Sequence, residues 1–437
     1  MISPRPQVVI TGVGVTSPIG IGFESFQRAL ETGQSGVRSL GLFDTPEYPI
    51  RVGAEVVDFD AKQYVTPRKS LKVMSRGIQL AFASAQMAAQ EASLSTSGIS
   101  PDRFGVVFGA DMIQVEPDEL INAFRCCIED NQFDATRWDE RAISELYPLW
   151  MLKYLPNMPA CHVAIALDAR GPNNTIVLAE ASSLLAIAEG TRVIERGQAD
   201  VMIVGGTGSR LHPLSWAFRM NVLNSPRWKD PQRISRPFDS HRDGMVYGEG
   251  AAALVLESRQ HAEARGAKIL ARIAGFASAF EACTPGEKFH GHAIRTAIKQ
   301  SLREADLSPA DVGHVNAHGL STVDHDRTEA LAIRELLGDV PVTAPKSFFG
   351  NLGAGGGAVE LLASVIAVHS GQIPFTLNYE TPDPACPVNV VRGAPAEARA
   401  PTALVLNQTY GPIGGDGDRS AELNGAAGLT CRYPIFS

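Results

Sequence analysis

Apolar and polar positions along this chain switch repeatedly between a period of two and a period near 3.6, the two spacings that separate half-buried strands from amphipathic helices. The opening PQVVITGVGVTSPIGIG reads as a β-branched strand from Val8 to Thr11 that enters a loop carrying Gly12, Gly14, Gly20 and Gly22. Residues 70–94 are alanine-rich with apolar residues at helical spacing, and DRFGVVFGAD (102–111) is again a strand running into glycine. This order predicts an α/β protein. The unit then recurs. ISPDRFGVVFGA at 99–110 and LSPADVGHVNAH at 307–318 stand at a constant offset of 208 residues, each behind a helix. Each half also holds a strand, a small-residue turn and a new helix, TIVLAEASSLLAIAEGTRVIERG in the first and VTAPKSFFGNLGAGGGAVELLASVIAV in the second. Duplication of a large α/β unit accounts for this self-similarity, with two related turns facing each other. Chance likeness among alanine-rich segments is the alternative. The join falls after GAAALVLES, giving halves 1–258 and 259–437.

One stretch fits neither half. Residues 117–155 are rich in aromatic turns and predict a helical insertion, with Trp138, Tyr147, Trp150 and Tyr154 packed as a cap that serves as a dimer or pocket wall.

Composition narrows the classes further. The chain has 437 residues, 44% apolar and 20% charged, which is ordinary for a globular protein and rules out disorder, collagen and coiled coil. Its 39 basic and 47 acidic residues leave a net charge of −8, so no basic excess supports a nucleic-acid surface. A local basic patch would still suffice for an acidic carrier. No apolar run reads as a membrane span, the start MISPRPQ has no signal-peptide core, and the expected location is cytoplasmic. Six cysteines lie scattered without CxxC spacing, which suits reduced core thiols. No metal or organic cofactor is indicated. GVGVTSPIG does not fit the dinucleotide fingerprint GxGxxG, and the 345–360 stretch lacks the GKS/T of a phosphate loop.

Candidate chemistry gathers at four turns. In LAEASS (178–183), Glu180 stands between a strand and a helix, where the helix dipole favours a carboxylate. A plain helix cap is the alternative, although Glu is less apt as a cap than Ser, Thr, Asp or Asn. VNAHGLST (315–322) ends a strand with His318, a place from which α/β side chains reach a site, and an ordinary loop histidine is the bland alternative. PKSFFGNLGAGGGAVE (345–360) offers Lys346, Asn351 and Glu360 around five glycines that permit close approach of another chain or ligand. TYGPIGGDG (409–417) supplies backbone N–H groups suited to an oxyanion, or is simply a turn.

Taken together, these residues resemble the elongating β-ketoacyl-acyl-carrier-protein synthases, the condensing enzymes of fatty acid and polyketide synthesis. The most specific pieces are ETGQSGV (31–37), QADVMIVGGTGS (198–209), RPFDSHRDGMVYGEGAAALVLE (236–257), VNAHGLST with Asp326 and Glu329 behind it, and KSFFGNLGAGGGAVE. The resemblance implies the thiolase fold, two duplicated halves in five αβαβα layers, as a homodimer or as a heterodimer with an active ketosynthase. It implies substrates carried on the phosphopantetheine of acyl carrier protein. The family's nucleophilic cysteine lies on the turn matching LAEASS, where this chain has Glu180. Its first histidine matches His318, its second matches Asn351, and Lys346 and Glu360 match the residues that brace the histidines. Ser321 and Thr322, with Ile413, Gly414 and Gly415 of the glycine turn, fall where the family binds substrate and oxyanion. In that turn Pro412 or Ile413 replaces the gating Phe, with one residue inserted.

These replacements bear on the reaction. A carboxylate is a weaker nucleophile than a thiolate, and the anhydride it would form is labile to water, so ordinary condensation is disfavoured. Asn351 is no obstacle, since an amide N–H polarises a thioester carbonyl much as histidine does. Relatives with Gln at the nucleophile position decarboxylate malonyl groups. An ionised Glu180 about 4 Å from a malonate carboxylate, at an effective dielectric of 20, is repelled by about 4 kcal/mol. Two expectations remain. The favoured one is altered acyl transfer, hydrolysis or decarboxylation using Glu180 and His318, supported by the retained His318, Lys346 and Glu360. The alternative is a non-catalytic partner resembling the chain-length factors, supported by the missing nucleophile and gate. An ion pair between Glu180 and His318 filling an idle site would suit either.

Overall fold

A computed structural model describes residues 5–40, 51–94, 98–112, 114–212, 214, 225–227, 229–283, 289–413 and 421–432. Ten strands carry the architecture. In the first half they are β1 (Val8–Ser17), β2 (Phe104–Ala110), β3 (Asn173–Ile176), β4 (Val201–Ser209) and β5 (Glu249–Ser258). In the second they are β6 (Ala271–Cys283), β7 (His314–Asn316), β8 (Pro341–Thr343), β9 (Thr402–Ile413) and β10 (Ala421–Arg432). The first sheet runs β3-β2-β4-β5-β1 and the second β8-β7-β9-β10-β6, the same order twice. Directions repeat as well. β2 is parallel to β3 and β4, β7 is parallel to β8 and β9, and the remaining neighbours in each sheet are antiparallel. A short antiparallel pairing of Val8–Ile10 with Ala271–Ile273 joins the two sheets edge to edge.

Six helices cover and separate the sheets: α1 (Arg76–Glu91), α2 (Met158–Leu167), α3 (Ser182–Glu195), α4 (His292–Ala305), α5 (Val323–Leu337) and α6 (Gly356–Ser370). Helices α1 and α2 pack on the outer face of the first sheet, and α4 and α5 on the outer face of the second. Between the sheets lie α3 and α6, whose side chains interleave with both inner faces in the largest core cluster. The layers are therefore αβαβα. Gly353–Ser370 has the length and hydropathy of a membrane span, but it is the central helix of this sandwich and 89% of it is buried. A helix apolar all round is what a two-sided burial requires.

The strand expected to stop at Thr11 runs on to Ser17. Gly12 and Gly14 do not turn the chain. They lie beneath α1, where a Cβ on Gly14 would stand 2.7 Å from Ala88 N, so their bare backbone lets the helix sit down on the strand. The insertion also departs from the expected helices. Only Pro117–Arg125 is a regular helix of two turns or more; it is followed by a hairpin, Ile128–Glu129 with Gln132–Phe133, and by short 3₁₀ and π turns. Asp130 and Asn131 hold φ at 49° and 62°, the two positive values a two-residue type I′ loop needs, and these residue types tolerate them. Its aromatics split into two groups. Trp138 packs on Phe124 at 5.3 Å and Trp150 on Tyr154 at 5.9 Å, while Tyr147 is half exposed.

Candidate active site

The site forms where the inner ends of the two halves meet. From β3 the chain passes through Ala179, held at φ 44°, into a single 3₁₀ turn, Ala179–Ala181, that leads directly into α3. A left-handed alanine costs about 1 kcal/mol or more, and here it aims Glu180 inward, leaving that residue 6% exposed. The matching turn of the other half runs from β8 through Lys346–Phe349 into α6, and its amide Ala358 N donates to Ser183 Oγ at 3.0 Å across the two-fold-like contact of α3 with α6. The two related turns do face each other.

Glu180 is enclosed by donors. Its Oε1 accepts from Arg210 Nη2 at 3.1 Å and from Asn351 Nδ2 at 3.1 Å, and its Oε2 lies 3.0 Å from Thr409 Oγ1, which shares its proton with Leu178 O. Asn351 is fixed on both ends, because Gly353 N donates to its Oδ1 at 3.0 Å and so turns the amide N–H toward Glu180. Arg210, at the end of β4, is 2% exposed and also meets Asp111 Oδ1 at 3.0 Å. Burial pulls its pKa down, but Asp111 and Glu180 outweigh this and hold it above the ordinary value.

A second group surrounds His318. Lys346 Nζ lies 3.1 Å from His318 Nδ1 and is ion-paired with Glu360, whose other oxygen accepts from Asn407 Nδ2 at 2.7 Å. An ammonium has only donors, so Nδ1 accepts and the imidazole proton resides on Nε2. Burial, then Lys346 and His325, hold His318 well below its usual pKa, so it is neutral. An ion pair between Glu180 and His318 would need an imidazolium, which burial and the neighbouring Lys346 disfavour. Burial also raises Glu360, although Lys346 and Asn407 counter it. Behind the loop, Glu329 accepts from His318 N at 2.7 Å and Gly319 N at 2.9 Å, and Asp326 accepts from Phe238 N, Leu320 N, Ser321 N and Thr322 N. Burial pushes Asp326 up to about 6 and Glu329 to about 8.

Strand β9 ties the two groups together. Asn407 and Thr409 are two residues apart, so both point to the inner face, one to Glu360 and one to Glu180. Glu180 also acts electrostatically on Glu360. Thus Glu180 and Asn351 meet directly, as do His318, Lys346 and Glu360. Ser321 serves the loop itself, its Oγ accepting from Arg236 N at 3.0 Å, whereas the Thr322 Oγ1 is buried without a partner among the described residues. Ile413 ends β9, but its side chain, with Gly414 and Gly415, lies outside the described residues. Sequence reasoning missed Arg210, Asp111, Asn407 and Thr409. A charged residue closing the small-residue strand VMIVGGTGSR was the one available signal for Arg210.

Family comparison bears directly on this arrangement. Residues 5–262 match the β-ketoacyl synthase N-terminal domain and residues 270–380 its C-terminal domain. The chain belongs to the β-ketoacyl synthase family. It is 35% identical over 416 residues to 3-oxoacyl-[acyl-carrier-protein] synthase 2 of Synechocystis sp., covering 93% of this chain and 95% of that one. It is 34% identical over 421 residues to the tetracenomycin polyketide synthase ketoacyl synthase alpha subunit of Streptomyces glaucescens, with 93% and 95% covered. Among solved structures, a β-ketoacyl synthase from Burkholderia phymatum superposes with a TM-score of 0.84 at 28% identity, over 98% of this chain and 100% of that one. The ishigamide ketosynthase/chain length factor gives 0.80 at 27%, over 99% and 100%. A type II polyketide synthase acyl-carrier protein in complex with its ketosynthase gives 0.83 at 27%, over 98% and 100%. The repeated strand order and the five layers are thus the thiolase fold of these synthases.

Proposed function

We propose that this synthase-like protein binds acyl thioesters carried on the phosphopantetheine of acyl carrier protein and works beside an active ketosynthase as a non-condensing partner subunit. In this reading Glu180 stands where the family has its nucleophilic cysteine, and the halves join after Ser258, where β5 ends. The observation that carries it is the enclosure of Glu180. A carboxylate that accepts from Arg210, Asn351 and Thr409 has its anionic form stabilised, which makes it a poor nucleophile and a poor base. Retention of Lys346 and Glu360 is accounted for without turnover, since they form a buried ion pair built into the packing of β7, α6 and β9.

Two surfaces suit the assembly. Although the chain is acidic overall, no acidic residue lies between Ala61 and Arg76, and Lys62, Arg68, Lys69 and Lys72 are exposed there, a patch fit for an acidic carrier. The insertion leaves Phe124, Phe133, Ile143, Leu149 and Met151 largely exposed, as a wall against a second subunit would. Free thiols at Cys126, Cys127, Cys161, Cys386 and Cys431 suit a reducing cytoplasm.

A second reading, altered acyl hydrolysis or decarboxylation, is favoured by one feature. Neutral His318, braced by Lys346 on Nδ1, carries its proton on Nε2 beside the Asn407 side chain, an arrangement suited to polarising a thioester carbonyl. Intact-mass spectrometry of carrier protein loaded with malonyl, acetyl or longer acyl groups separates the two. The partner reading expects no mass change with this chain alone and a changed product length when it is added to an active synthase. Loss of acyl groups or of carbon dioxide that disappears in His318→Ala decides for the enzyme.

A further inference from the structure

The outer face of the second sheet carries a like-charged pair that its packing does not explain. Antiparallel pairing sets Arg272 of β6 directly opposite Arg432 of β10, and Arg432 opposite Thr402 at the start of β9. Ala271, Ile273, Cys431 and Ala403 beside them belong to the central core, so by strand alternation both arginines point the other way, outward. They lie just past α4, whose last residue Ala305 sits over Gly275. Like charges directly across an antiparallel pair destabilise it, and an arginine cannot shed its proton to escape. Neither guanidinium has a hydrogen bond or ion pair among the described residues, and Arg432 Nε is closed off from solvent with no acceptor. Burial, then Arg432 and Arg259, pull Arg272 below its ordinary pKa. The acids of this region are engaged elsewhere. Asp311 feels Arg432, but its Oδ2 accepts from Ser308 N at 2.8 Å and Ser308 Oγ at 2.6 Å. Glu257, two strands over beyond Val9, is taken by Thr11, His261 and Arg265. The C-terminal end of α4 sets only about half a negative charge against two whole positive ones.

We propose that Arg272 and Arg432 form a binding site for a phosphoryl dianion, free or as the terminal phosphate of a small metabolite, on the outer face of the second sheet and apart from Glu180. Residues opposite each other in a sheet have Cβ atoms about 5 Å apart, so two guanidinium forks stand side by side. A tetrahedral phosphate has oxygens enough to take a bidentate contact from each fork, and its two charges match theirs, whereas a carboxylate fills one fork only. The site is independent of the acyl site, because Asn407 and Thr409, further along β9, face inward to Glu360 and Glu180.

The test titrates the full chain calorimetrically in chloride buffer at fixed ionic strength, once with inorganic phosphate and once with ADP. Saturation of a single site per chain is expected with at least one of them. Saturation by phosphate identifies the free ion as sufficient, and saturation by ADP alone a phosphate borne on a larger molecule. Arg272→Met and Arg432→Met, which keep an apolar stem and drop the charge, are each expected to weaken binding by about tenfold or more, the worth of one charge-assisted contact. No saturable heat with either ligand, or binding that survives both substitutions, overturns the proposal. Thermal unfolding decides the matter should a variant not fold. At about a hundredfold excess of the bound ligand over its Kd, wild type is expected to unfold about 3 °C higher than in chloride alone, and an unmoved midpoint overturns the site. In chloride alone Arg272→Met should unfold no lower than wild type, since it removes a repulsion. A lower midpoint there would mean that Arg272 has a stabilising partner within the protein, and would overturn the proposal as well.

Discussion

Single residues in this protein matter chiefly through what their neighbours do to their charge. Lys346 and Glu360 are both almost wholly enclosed, so removing one partner strands the other. Lys346→Met is expected to cost about 3 to 5 kcal/mol in chemical denaturation, and the double variant with Glu360→Leu to be less destabilised than that single one. His314, fully buried at the start of β7 against Ser364 of α6, is pulled down to about 4 by desolvation. Because its folded pKa lies below the unfolded value near 6.5, the unfolded chain binds the extra proton, and stability is lost as pH falls from about 6.5 toward 4. The stability advantage of wild type over His314→Asn is therefore expected to be constant above pH 7 and to shrink by about 2 kcal/mol at pH 5, measured by urea unfolding at each pH. His318 behaves in the same direction at the site. Its neutrality means that no activity or binding limb from its protonation should appear between pH 8 and 6.

Strands and helices here are positioned by close approach as much as by hydrophobic pattern. Gly14 illustrates it: the pattern of small and β-branched residues in β1 is plain in the sequence, but the role of its glycines depends on α1, some seventy residues away in the chain. Gly14→Ala is expected to push α1 off the sheet and to destabilise the fold by about 2 kcal/mol or more, read as a lowered denaturation midpoint. The loop after β7 depends likewise on α5. Asp326 collects four backbone N–H groups, so Asp326→Ala should loosen the loop and raise hydrogen exchange at Leu320, Ser321 and Thr322 above that of the neighbouring strand. In the insertion, the Asp130-Asn131 pair was a readable hairpin signal, and overlooking it turned a hairpin into an expected helix.

At the scale of the whole molecule, surface charge and exposed apolar area govern association. Charge reversal at Arg68 and Lys69 is expected to weaken binding of acyl carrier protein about tenfold at low salt, with the difference fading as ionic strength approaches 1 M, by titration calorimetry. The strand–helix order and the repeat of a large α/β unit were legible in the sequence, because strand and helix periods and local turn motifs are short-range properties of the chain, whereas the thiolase layering was implied only by resemblance to the synthases. Only the tertiary structure decided what Glu180 is chemically. Its partners Arg210, Asn351 and Thr409 lie 30, 171 and 229 residues away, and nothing periodic marks them. A carboxylate's reactivity is set by the donors and charges within a few ångströms of it, and in this fold those neighbours come together only when β4, β9 and the two facing turns close on one point.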